Sequence, residues 1–69
     1  MKTSARNNFQ GTVKDLVKGP VSTEVTISIA PGFEIVATIS TRSADSLGLA
    51  VGKPAYALIK ASSVIVGAD

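Results

Sequence analysis

The stretch "VSTEVTISIAPGFEIVATIS", residues 21–40, decides the fold. Its first half alternates strictly. Val25, Ile27 and Ile29 face one way; Glu24, Thr26 and Ser28 face the other. That period of two marks a half-buried β-strand. "PG" at 31 and 32 is a hairpin turn signal. The second half alternates again, with Phe33, Ile35, Ala37 and Ile39 inward and Glu34, Val36, Thr38 and Ser40 outward. Two such runs around Pro-Gly predict a β-hairpin and an all-β class.

The flanks extend this reading. Residues 5–17 alternate more loosely, with Phe9, Gly11, Val13 and Asp15 on one side and Gln10, Thr12, Lys14 and Leu16 on the other. They predict a long strand bent near Gly11, where a missing Cβ permits a bulge or a close approach. "KGP" at 18–20 is a turn, with Gly19 free to take positive φ. "TRSADSLGL" at 41–49 is the one helical segment: Thr41 or Ser43 caps it, Asp45 suits its first turn and Gly48 its stop. "VGKP" at 51–54 turns the chain into "AYALIK", a fourth strand at 55–60. "SSVIVGA" at 62–68 reads as a fifth, after a kink at "KASS", 60–63. The expected architecture is a small five-stranded OB-like barrel with one short helix, because closure removes the edges that invite aggregation.

Composition narrows the function. With 69 residues the chain is one domain, spanning 1–69. A domain this small has a thin core and is usually stapled or partnered. There is no Cys and no His, so disulfides and a structural zinc site are not expected. The chain is 45% hydrophobic and only 17% charged, which predicts that apolar surface lies between subunits of an oligomer. A formal charge of +2 permits anion binding and falls short of a nucleic-acid footprint. The start "MKTSARNNFQ" has no apolar h-region and no segment suits a membrane span, so the expected location is the cytoplasm.

Catalysis is not expected. A nucleophilic Ser needs a nearby base, and Asp15, Glu24, Glu34 and Asp45 fall on separate elements. No phosphate-binding Gly-rich loop is present. Instead, hydroxyls gather beside isolated cations in "TSAR" (3–6), "KGPVST" (18–23), "STRS" (40–43) and "KASS" (60–63). Arg, Lys, Ser, Thr and free backbone N–H groups make the donor inventory of an oxyanion site. Ser and Thr also gather at caps and strand ends for local reasons. Residue types alone therefore lead to an oligomeric β-barrel with the means to bind an anion, and no further.

The order of the pieces adds to this. "SARNNFQGTV", "KGPVSTEV" and "TRSADSLGLAVGKPAYALIKASSVIV" together resemble the molybdenum-pterin-binding (Mop) family, the molbindins. The family pattern falls on Ser4–Asn7, Lys18–Val25, Ser43–Lys53 and Ile59–Val66, nearly the whole chain. The resemblance implies an OB-fold barrel and a hexamer built as a trimer of dimers. It implies molybdate or tungstate held at subunit interfaces, one class of site between paired subunits and another near the threefold axis. It implies a molybdate store or buffer without enzymatic activity. By position, Ser4, Ala5 and Arg6 resemble one wall of the dimer-type site. Lys60, Ala61 and Ser62 resemble the opposing wall, given by the neighbouring subunit. Ser40, Thr41 and Ser43 match the hydroxyl-bearing segment before the helix, Ser43 foremost. Val21 and Ser22 match the second class. Two positions depart from the pattern: Ala61 lacks a hydroxyl many relatives carry there, and Pro20 removes a backbone donor.

Molybdate at neutral pH is a tetrahedral dianion that only accepts hydrogen bonds. A site made wholly of donors suits it, with Arg6 and Lys60 matching its two charges. Hydrogen phosphate keeps a proton and would leave a buried polar mismatch costing about 1–3 kcal/mol. The alternatives are an OB-type single-stranded nucleic-acid module, which needs aromatic platforms that only Phe9, Phe33 and Tyr56 could supply, and an oligomerisation domain whose clusters are merely caps.

Overall fold

A computed structural model describes residues 1–69. The elements are β1 (Asn7–Lys18), β2 (Ser22–Ala30), β3 (Phe33–Ser40), α1 (Thr41–Ser46) and β4 (Pro54–Ile59), followed by a single 3₁₀ turn at Ala61–Ser63. The strands form one antiparallel sheet in the order β3-β2-β1-β4. The hairpin of 21–40 forms as its alternation dictates. Ala30 pairs with Phe33 across the turn, and Gly32 takes φ 77°, a conformation only glycine adopts without strain.

The bend in β1 differs from the expectation. The register slips between Val13 and Asp15, not at Gly11. This bulge inserts one residue and resets the alternation. Val13 and then Leu16 face inward, while Asp15, expected beside Val13, turns out to solvent and accepts from the Leu16 N–H at 2.9 Å. Gly11 has the other role the sequence allowed: a Cβ there would lie 2.3 Å from the Ser28 carbonyl oxygen. Gly19 likewise does not take positive φ. It is needed because a Cβ would lie 2.8 Å from the Ser22 carbonyl oxygen, which accepts the Gly19 N–H in the tight turn.

The helix is capped by Ser40 rather than by Thr41 or Ser43. Its Oγ accepts the Ser43 N–H at 3.0 Å. At the other end Gly48 (φ 66°) stops the helix. Its N–H reaches the Asp45 carbonyl and that of Leu49 reaches Ala44, the paired bonds of a Schellman motif.

Only six of 69 residues are buried, so the core is thin. Val13, Val25, Ile27 and Ala57 form its centre, with Phe9, Leu16, Ile29, Ile35, Ile39, Leu49 and Ala55 packed around them. Beside it runs an apolar trough of about 730 Å³ between the β3 and β4 sides of the sheet.

The fifth strand expected at 62–68 does not form within the chain, and the barrel is open. Alternation favours extended backbone, and Val64 is extended (φ −88°, ψ 127°). A strand also needs an edge to pair with. Ile65 and Val66 pair with nothing and are 95% and 87% exposed. The sheet therefore ends in two free edges, β3 and β4. No helix is long and apolar enough to cross a membrane.

Candidate oxyanion site

The ladders sort the eleven residues singled out from the sequence into two groups. The β1–β4 ladder ends at the pair Asn7–Ile59. One residue beyond it on either strand stand Arg6 and Lys60. The segments Ser4-Ala5-Arg6 and Lys60-Ala61-Ser62 thus lie side by side at one end of the sheet in the same chain. The β2–β3 ladder ends at the pair Ser22–Ser40. That gathers Val21, Ser22, Ser40, Thr41 and Ser43 around the start of α1. Since Lys18 pairs with Thr23, this second group sits at the far end of β1 from the first.

In the first group the donors are open. The Arg6 and Lys60 side chains are exposed and neither forms an ion pair. The backbone N–H groups of Ser4, Arg6, Lys60, Ala61 and Ser62 meet no acceptor in the chain, nor do the Ser4 and Ser62 hydroxyls. Ala5 is the exception: its N–H is held by Thr3 Oγ1 at 3.2 Å. The named set contains two cations, two hydroxyls and no carboxylate. Ala61 contributes a backbone N–H in place of a side-chain donor.

Two asparagines shape this end. Asn7 donates its side-chain amide to the Ile59 carbonyl at 3.2 Å, and Asn8 donates to the Ala5 carbonyl at 3.2 Å. Both are side-chain caps on backbone carbonyls at the end of the ladder. The register of the two strands, which the sequence does not show, makes the Asn7 bond visible.

In the second group several donors are already committed. The Thr41 hydroxyl donates to the Gly19 carbonyl at 2.6 Å and meets Thr23 Oγ1 at 2.8 Å; the Thr41 N–H reaches the Val21 carbonyl at 2.8 Å. The Ser40 hydroxyl donates to Ser43 Oγ at 2.8 Å. Of these three side chains, Ser43 keeps an uncommitted O–H. The Val21 N–H is open and Pro20 has none. Lys18, also in this region, is held by Asp45. Thr23, part of the "KGPVST" cluster, is 1% exposed: it shares the parity of Val25 and Ile27 and so belongs to the inward face.

Two further observations bear on the chemistry. No group of three or more Asp and Glu side chains is placed to hold a metal cation. The rings of Phe9 and Phe33 pack edge to face at 5.4 Å, which occupies two of the three aromatics as packing and leaves Tyr56 alone as a stacking platform.

The sequence matches the TOBE domain family over residues 3–66. It is 51% identical over 69 residues to the molybdenum transport protein ModE of Herbaspirillum seropedicae, covering all of this chain and 26% of that protein. It is 45% identical to a probable molybdenum-pterin-binding protein of Haemophilus influenzae, over the full length of both. The fold superposes on the solved structure of a molybdate binding protein from Sporomusa ovata with a TM-score of 0.90 and 38% identity, covering 99% of this chain and all of the other. The chain spans about a quarter of the ModE protein and the whole of the two smaller ones.

Proposed function

Since this chain belongs to the TOBE domain family, among its molybdenum-pterin-binding members, we propose that it binds molybdate or tungstate as a non-enzymatic cytoplasmic store or buffer. The observation that carries the reading is the first donor cluster. Arg6 and Lys60, two open hydroxyls and five open backbone N–H groups lie at one end of the sheet, with no carboxylate among the residues of the set. A dianion that only accepts hydrogen bonds satisfies such a set. Charged donors bind it about twice as strongly as neutral ones. Hydrogen phosphate would present its proton to a set in which only the two serine hydroxyls can accept it. Sulfate shares the donor logic, so only the larger size of molybdate and tungstate can set it apart.

The second cluster forms a separate site of the other class, through Val21, Ser22 and Ser43, with Ser40 and Thr41 fixing its shape. Assembly completes both. The chain alone leaves an apolar trough, two open edges and an unpaired Val-Ile-Val tail. A hexamer, a trimer of dimers, covers these surfaces and sets the Arg6 wall of one subunit against the Lys60 wall of its neighbour. Anion binding then stabilises the assembled form by mass action.

Calorimetric titration tests this directly. Molybdate and tungstate bind; sulfate and phosphate at equal concentration give no comparable heat. Arg6→Ala weakens one class of site and leaves the other filled. Absence of heat with molybdate refutes the proposal.

A further inference from the structure

Asn7 and Asn8 are adjacent, yet their side chains act on different segments. Asn8 anchors the carbonyl of Ala5, and Asn7 anchors the carbonyl of Ile59. Each of those carbonyls belongs to the peptide group that ends in one of the two cationic residues: Ala5–Arg6 and Ile59–Lys60. Every peptide bond in the chain is trans, so the carbonyl and the following N–H point opposite ways across a rigid plane. Holding the oxygen therefore sets the direction of the hydrogen. Neither the Arg6 nor the Lys60 N–H has an acceptor within the chain. The Ile59 oxygen points to β1, so the Lys60 N–H points to the open side of β4, where this chain has no further strand.

We infer that Asn7 and Asn8 are positioning residues for the oxyanion site, each fixing one peptide plane so that the N–H of Lys60 or Arg6 is aimed at the ligand. The inference rests on the molybdate reading above. Asn7 and Ile59 form the last ladder pair and Ala5 lies outside the ladder, so each side chain adds a hold on a peptide plane at or beyond the point where backbone pairing stops. A pre-aimed donor loses no orientational freedom on binding, which is the usual source of affinity from residues that do not touch a ligand.

The test uses the full chain and two single variants, Asn7→Ala and Asn8→Ala, with their double. Molybdate affinity is measured by calorimetry, ligand-free stability by thermal unfolding, and the backbone amide signals of Arg6 and Lys60 by ¹⁵N-resolved NMR during a molybdate titration. In the wild type both amide signals shift on binding. Each single variant binds about five- to tenfold more weakly, the loss expected for one aimed hydrogen bond. The Arg6 shift shrinks selectively in Asn8→Ala and the Lys60 shift in Asn7→Ala. A general loosening of the fold would instead lower the melting temperature and diminish both shifts together in each variant, which overturns the inference. Wild-type affinity in both single variants, with both shifts intact, also overturns it and leaves the molybdate reading standing. No heat with the wild type overturns both.

Discussion

Replacing Gly11 by Ala probes the closest contact in the sheet. The added Cβ would lie 2.3 Å from the Ser28 carbonyl oxygen and 2.9 Å from Ile27 Cγ2, where ordinary contact begins at 3.4 Å. β1 and β2 would have to part by about 1 Å on a normal spacing of about 4.8 Å. Two ladder hydrogen bonds near the Thr12–Ser28 pair would stretch beyond useful length, at about 1 kcal/mol each. Overpacking adds about 1–3 kcal/mol. The sum is about 3–5 kcal/mol, against a total of roughly 3–10 kcal/mol for a domain of this size. The melting temperature should fall by roughly 12–40 °C, read by circular dichroism at fixed protein concentration. Gly32→Ala is the control, since nothing lies within 4 Å of its Cβ and only the positive φ opposes it, about 1–2 kcal/mol. A Gly11→Ala protein that melts within about 3 °C of the wild type would refute the claim that this glycine is kept for a close approach.

Three further outcomes follow from named contacts. Ser40→Ala removes the helix cap and should lower stability by about 1 kcal/mol, seen as a lower urea midpoint with unchanged slope. Ile65→Asp puts a charge on a side chain that touches nothing in the lone chain; native mass spectrometry should show smaller assemblies, and an unchanged mass would exclude the tail from subunit contact. The hydrogen bond and charge of Glu34 raise the Lys14 pKa above its usual 10.5. The ammonium thus favours the folded state throughout neutral pH, and its contribution fades as pH climbs through the raised folded value. The stability difference between wild type and Lys14→Met should therefore be present at neutral pH and shrink only above 10.5, in paired urea titrations.

The hairpin of 21–40, the helix stop at Gly48 and the fourth strand were legible because each depends on residues near one another in sequence. Alternation, a Pro-Gly turn and a glycine after a helical turn are local signals. The bulge was not legible. Whether Val13 or Asp15 follows the inward phase depends on which residue β2 presents opposite, and only pairing decides that. For Gly11 the sequence allowed a bulge or a close approach, and only the Ser28 carbonyl on β2 decides for the second. The tail shows the converse limit: "SSVIVGA" has a strand's pattern, and pattern cannot supply the edge it would pair with. Within the candidate site, the residue types were visible and their division into two clusters was not. Arg6 and Lys60 are 54 positions apart in sequence and one ladder step past the same pair. Thr41 illustrates the finer point. A hydroxyl in a promising segment counts as a donor only if its proton is free, and here it is fixed on the Gly19 carbonyl.

Strand β1 carries one donor cluster at each end. Twelve residues at about 3.3 Å each span close to 40 Å when straight, near the chain's long dimension of 38 Å. At physiological ionic strength the screening length is about 8 Å. Two dianions held at opposite ends of the same chain would hardly sense one another's charge, so filling one end leaves the electrostatic work of filling the other nearly unchanged within that chain.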